Sequence, residues 1–158
     1  FSGTDSRSFS PNASMTRAML VTVLYRLEGE PTVTGRSSFT DVRSGAYYEK
    51  SVIWAAANGI VTGTDSTSFS PDAKVTREQL AAILYRYAQY RKLDTDASAK
   101  LNSFTDADSV SAYASEALGW AVSEGLINGA SGKLMPKGDA TRAQVAAILH
   151  RLVKNVLN

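Results

Sequence analysis

Three arginines occupy positions where helix electrostatics disfavour a cation. Arg17, Arg77 and Arg142 each follow a threonine, and each opens an apolar run of helical spacing. The first helical position lies at the positive end of the helix dipole, where an exposed cation costs about 0.3–1 kcal/mol. A local rule broken in the same way at every copy points to a function or to a buried partner. In one reading the guanidinium is a fork of paired donors that receives a carboxylate from a ligand. In the other it bridges to a carboxylate of a neighbouring segment, with Asp41 and Asp106 as candidates. The sequence leaves both open.

Little else in the chain could do chemistry. His150 is the lone histidine, in a helical run without a nucleophile or ligand set beside it. No nucleophile elbow, phosphate loop or zinc motif occurs. Asp65, Ser66 and Asp72 lack the spacing of a calcium loop and read as Asx turns. No catalytic residue, metal site or cofactor is expected, so the chain reads as a non-enzyme. Gly63 and Gly129 are sites where a ligand could approach the backbone, whereas Gly59 and Gly125 read as helix stops. Trp54 and Trp120 sit beside alanines and read as core.

The elements that position the arginines recur. Phe9-Ser10-Pro11 through Thr16-Arg17 returns as Phe69-Ser70-Pro71 through Thr76-Arg77, and more loosely as Leu134-Met135-Pro136 through Thr141-Arg142. A second block, Phe39-Thr40-Asp41 with Trp54 and Gly59, returns as Phe104-Thr105-Asp106 with Trp120 and Gly125. Repetition on this scale marks a repeat architecture. Phe1 to Ser6 aligns with Val61 to Ser66, so the chain is expected to hold two and a half repeats, starting in mid-unit as a fragment of something longer. The expected division is 1–28, 29–91 and 92–158 within one compact domain.

Threonine caps predict long helices over 16–28, 76–91 and 141–156, and short helices over 47–58 and 113–124. Gln79 and Gln144 complete capping boxes, while Met19 leaves only half of one. Phe9 is expected to plug the core. Arg26, Arg86 and Arg151 fall near helix C-termini, where a cation suits the dipole, and read as structural. The polar stretch 92–103 absorbs the difference in repeat length and reads as a tolerant linker. With no short helix of its own repeat to cover it, the first long helix is expected to bare Leu20, Val23 and Leu27. Strand alternation is absent, so the fold class is all-α, built of tandem helix–loop–helix repeats that must pack on one another.

Composition agrees with an ordinary globular chain: 44% of the 158 residues are hydrophobic and 20% charged. A net charge of +2 implies neither a nucleic-acid partner nor an anionic membrane surface. The longest apolar run, 52–57, is far too short to span a bilayer. The absence of cysteine excludes disulfides and thiolate metal sites.

Phe39, Asp41 and Val42, then Trp54, Ala55, Gly59, Ile60 and Gly63, then Phe69, Pro71, Thr76 and Arg77 resemble, in order and spacing, the S-layer homology domain. Phe104, Asp106, Trp120, Ala121, Gly125, Gly129, Pro136, Thr141 and Arg142 repeat the pattern. Gly3, Phe9, Pro11, Thr16 and Arg17 carry its second half. The resemblance implies three repeats around a pseudo-threefold axis, a three-pronged spindle with the first prong missing here. It implies a bacterial cell-surface module that anchors surface-layer proteins and exoenzymes to a secondary cell-wall polysaccharide, often bearing pyruvylated N-acetylmannosamine. The ligand would lie in grooves between repeats and meet Arg17, Arg77 and Arg142, with Asp41, Asp106, Tyr47, Tyr113, Gly63 and Gly129 nearby. Tyr47 and Tyr113 replace a frequent tryptophan and can still stack on a sugar. Gln79 and Gln144 replace a frequent glutamate. The implied chain is extracellular, fused to a larger protein, without nucleic acid or membrane insertion. A structural or protein-interaction module is the alternative, with the arginines merely bridging repeats.

Overall fold

The computed structural model describes residues 12–157, so the expectations for Gly3, Phe9 and Pro11 lie outside the described residues. Five α-helices follow one another: α1 (Arg17–Leu27), α2 (Glu49–Ala57), α3 (Arg77–Tyr90), α4 (Ser115–Ser123) and α5 (Arg142–Leu152). Among the described residues the only extended pairings are isolated bridges, such as Thr16 with Lys74 and Thr76 with Asp139. The fold is all-α.

The long helices start as their caps dictate. The Thr16 hydroxyl accepts from the Met19 amide at 3.1 Å, half a capping box. At α3 and α5 the box is complete: Gln79 Oε1 accepts from the Thr76 amide at 2.9 Å and Gln144 Oε1 from the Thr141 amide at 3.0 Å. Such a cap is worth about 1 kcal/mol.

The short helices start two residues later than the apolar pattern predicts. Tyr48 and Ala114 supply no side-chain cap; Tyr47 lies in the turn ahead of α2, and Tyr113 in a short 3-10 helix, Ala112–Ala114, that runs into α4. Gly59 and Gly125 end these helices in the left-handed region, at φ 71° and 72°. The next amides, of Ile60 and Leu126, turn back onto Ala55 and Ala121 at 2.9 and 2.8 Å and so use carbonyls that the helix end would orphan. The last helix stops at Leu152 and widens into a π-type turn over Val153–Leu157, short of the regular helix expected to 156.

The helices fall into two compact units. One is Met15–Lys74; the other is Val75–Asn158 together with the described end of the N-terminal segment, residues 12–14. In the first unit α1 packs on α2, with Tyr25 and Trp54 tilted at 5.5 Å. In the second α3 packs on α4, with Tyr85 and Trp120 edge-on at 5.6 Å. Both tryptophans are core residues, as their alanine neighbours suggest.

Each of these pairs joins a long helix to the short helix of the following repeat. That pairing corrects the expectation of a bare strip on α1. Leu20 is 0% exposed and Val23 half-buried, although Leu27 remains 38% exposed.

The 92–103 segment is also more than a tolerant linker. The Ala99 amide donates to the Gly119 carbonyl at 2.9 Å, and a Cβ on Gly119 would run into the Ser98 hydroxyl. A mid-helix glycine costs about 1 kcal/mol against alanine. Here it opens a seat in α4 for the incoming strand of chain. An isolated glycine inside a helical pattern was the sequence signal for this contact.

Candidate functional site

The loops ahead of α3 and α5 are held by the aspartates of the repeated Phe-Thr-Asp motif. Asp41 accepts from the Phe69 and Ser70 amides, each at 2.9 Å, and Asp106 from the Leu134 and Met135 amides, each at 2.8 Å. The Leu134 amide leads in holding the Asp106 carboxyl below the usual aspartate range. The preceding threonines add a strut, from the Thr40 amide to the Thr67 carbonyl and from the Thr105 amide to the Gly132 carbonyl. This clamp secures an unfavoured backbone: Ser70 and Met135 sit at φ 60° and 52°. Both aspartates therefore work as loop clamps, in place of the arginine bridge that the sequence left open.

Gly63 and Gly129 have a packing reason too. A Cβ on Gly63 would come within 2.6 Å of the Phe39 ring, and one on Gly129 within 2.9 Å of the Phe104 ring. The space they leave is filled by the chain's own aromatics.

The amides at the start of each long helix are also spoken for. Arg17 and Ala18 donate to the Ala73 and Pro71 carbonyls, both at 2.9 Å. Arg77 and Glu78 donate to those of Gly138 and Pro136 at 2.9 and 3.0 Å, and Arg142 to that of Ala13 at 2.8 Å. Loop carbonyls thus cancel the positive helix end, which removes the expected penalty for arginine there. An anion cannot use these amides and must be met by the guanidinium itself.

The guanidinium groups have three different surroundings. Arg17 lies 4.6 Å over the Phe69 ring and donates to the Phe69 and Thr62 carbonyls at 2.9 and 2.6 Å. Arg142 is 2% exposed and closed to solvent. Arg77 is half-buried; its Nη2 donates to Gln144 Oε1 at 2.9 Å and its Nη1 reaches the Met135 carbonyl at 3.5 Å.

Arg77 borders a groove of about 240 Å³ within the 75–158 unit. Two guanidinium groups line it, from Arg77 and Arg151, together with the Gln144 amide and no acidic side chain. Leu126 and Ile148 supply apolar surface and Gly129 part of the wall. Arg151 steadies that wall, donating to the Leu126 carbonyl at 3.1 Å. Gly138 makes room for Arg77, because a Cβ there would meet Nη1.

Of the residues expected to share a site, the structure thus brings Arg77 and Gly129 to one groove. Asp41, Gly63 and Arg17 share a separate loop corner, and Asp106 stands behind the groove as its clamp. The two tyrosines, 66% and 56% exposed, line neither place. Sequence reasoning missed Gln144, Arg151 and Gly138. The first was visible as glutamine where the resembling family favours glutamate, and the last as glycine aligned with Ala73. Arg151 gave no signal beyond its fit to a helix C-terminus.

A family model described as the S-layer homology domain matches residues 38–81 and 103–146. The chain is 32% identical over 157 residues to an amylopullulanase of Thermoanaerobacterium thermosulfurigenes, covering 96% of this chain and 8% of that protein. It is 32% identical over 155 residues to an endoglucanase of Bacillus sp. (strain KSM-635), covering 98% and 16%. A surface-layer 125 kDa protein of Lysinibacillus sphaericus is 31% identical over 156 residues, covering 94% and 12%. The chain therefore spans less than a fifth of the length of these relatives. No helix among the described residues is long and apolar enough to cross a membrane.

Proposed function

Because the chain belongs to the S-layer homology domain family, we propose that it is a non-catalytic wall-anchoring module whose Arg77 groove holds an acidic cell-wall polysaccharide. One observation carries this reading. Two guanidinium groups line the groove without a carboxylate, and Arg77 gives its best hydrogen bond to a neutral amide oxygen. Its charge is directed but not cancelled. A ligand carboxylate, such as the pyruvyl group of an acetal-bearing amino sugar, would supply the missing charge, and a charge-assisted contact is worth about 1.5–3 kcal/mol. The matched relatives include two glycan-degrading enzymes and a surface-layer protein, each far longer than this chain, which supports a module carried by a larger partner. The corresponding location is outside the cell, at the bacterial surface.

At Arg17 the structural reading is favoured instead, because its head donates to the Phe69 and Thr62 backbone carbonyls. The test is binding to isolated wall sacculi, with and without extraction of the polysaccharide, by the parent chain and Arg77→Ala. Binding that requires the polysaccharide and fails in the variant, at unchanged thermal midpoint, is expected. Undiminished wall binding by the variant would overturn the assignment.

A further inference from the structure

Asparagine is followed by glycine twice in the chain, at Asn58-Gly59 and Asn128-Gly129. A glycine leaves its own amide nitrogen unshielded by a Cβ, so that nitrogen can reach the preceding side chain. Asparagine is thermolabile for this reason. We propose that Asn128-Gly129 is a site of spontaneous deamidation whose product carboxylate closes the Arg77 groove to anions. The effect on binding rests on the reading of that groove as an anion site, whereas the chemistry stands apart from it.

The step needs only water. The Gly129 nitrogen bonds to Asn128 Cγ, the Cγ–Nδ2 bond breaks, and Nδ2 leaves as ammonia with the proton the amide gave up. Water then opens the succinimide at either carbonyl, giving aspartate or isoaspartate. Such a site is held back when the glycine amide is engaged or the asparagine side chain is pinned. Both restraints act at Asn58, which caps the end of α2. The Gly59 amide donates to the Ala56 carbonyl at 3.2 Å, and Asn58 Nδ2 donates to the Trp54 carbonyl at 2.8 Å. Neither acts at Asn128. That residue is exposed and lies outside any helix. Neither its side chain nor the Gly129 amide makes a hydrogen bond among the described residues.

Its place in the fold gives the reaction a consequence. Asn128 and Gly129 line the groove together with Arg77 and Arg151, and no acidic side chain joins them. The guanidinium groups favour the negative charge that develops as the amide nitrogen attacks. The product sets a carboxylate in that groove, against the charge that Arg77 keeps beside the neutral Gln144 oxygen. The isoaspartyl product also adds a backbone carbon next to Gly129. Space there is short: a Cβ on Gly129 would come within 2.9 Å of the Phe104 ring and 2.7 Å of the Lys133 carbonyl. In the 15–74 unit the equivalent residue is Thr62, which has no amide to lose and whose carbonyl accepts from Arg17 at 2.6 Å. The labile pair thus stands by Arg77 and is missing beside Arg17.

The experiment is a time course of the full chain in warm, mildly alkaline buffer, read by peptide masses, isoaspartyl content and binding to isolated wall sacculi. The Asn128 peptide is expected to convert about tenfold faster than the Asn58 peptide, which must first open locally. Wall binding should fall severalfold in step with that conversion. Asn128→Asp should start at the lowered level with the thermal midpoint kept. Asn128→Gln, whose longer side chain forms the cyclic imide far more slowly, should hold its own starting level throughout. An Asn128 that stays an amide, or converts no faster than Asn58, overturns the site. Undiminished wall binding by the converted chain, with Arg77→Ala failing to bind, overturns the closure and spares the groove. Undiminished binding by both overturns the closure together with the groove, while the peptide masses still decide the deamidation.

Discussion

Arg17 and Arg77 both stand one residue past a threonine cap, and their backbone amides donate to the same place in the following loop. Their side chains part company there. Arg17 finds an aromatic face in Phe69 and two carbonyls within reach, so its charge and donors are spent on holding the loop. The third repeat has Leu134 in place of Phe69 and Gly138 in place of Ala73. The ring is lost and a gap opens beside the loop, into which the Arg77 head settles against a neutral glutamine. One motif thus makes a structural clamp in one unit and a partly satisfied cation beside a groove in the other. The residues around the arginine decide which.

The sharpest way to break this contrast is to remove both heads. Arg77→Ala should lower polysaccharide binding about ten- to a hundredfold and leave the thermal midpoint alone. Arg17→Ala should do the reverse, costing about 1–3 kcal/mol of stability with little loss of wall binding. Calorimetry and sacculus binding on the two variants give the comparison directly. A matched outcome for both would show that the two corners are equivalent after all.

Acid should act on the larger unit through Glu78. This residue is 2% exposed; its carboxylate accepts from the Ser111 amide at 3.0 Å and from Lys137 at 3.1 Å. Burial pushes its pKa up, but the Ser111 and Lys137 contacts outweigh it and the net shift is downward. A depressed carboxyl contributes stability that is present above the unfolded value, about 4.3, and is lost as pH falls through the lower folded value. The 75–158 unit should therefore weaken below about pH 4. Glu78→Gln should be less stable at pH 7 and flatter across that acid range in thermal melts.

The neutral partner of Arg77 can be changed without disturbing its cap. Gln144→Glu can still close the capping box, so stability should hold, while a carboxylate beside Arg77 should cut anionic binding severalfold. Gly138→Ala should act on the same contact by displacing only the flexible end of Arg77. Its melting point should stay level or rise slightly, because alanine restricts the unfolded chain. Wall binding by each variant, read against Arg77→Ala, tests whether the position and the charge of one guanidinium matter separately. The smallest effect belongs to the smaller unit. Met19→Gln should complete the α1 capping box and stabilise by about 0.5–1 kcal/mol, seen as a rise in thermal midpoint.

What the sequence determined by itself was local and periodic. The Thr-x-x-Gln boxes, the glycine stops at Gly59 and Gly125, the cores at Trp54 and Trp120 and the all-α class follow from neighbours within one or two turns. Such interactions act between residues close in the chain, so their spacing is visible without a fold. Which helix covers Leu20, where the Asp41 and Asp106 carboxylates point and which arginine keeps a charge to offer were not visible. Each depends on atoms 28 or more residues away in sequence, such as Asp41 on Phe69 and Arg77 on Gln144. The motif set the cap and the cation, but only the tertiary contacts around it could turn one copy into a clamp and leave another facing a groove.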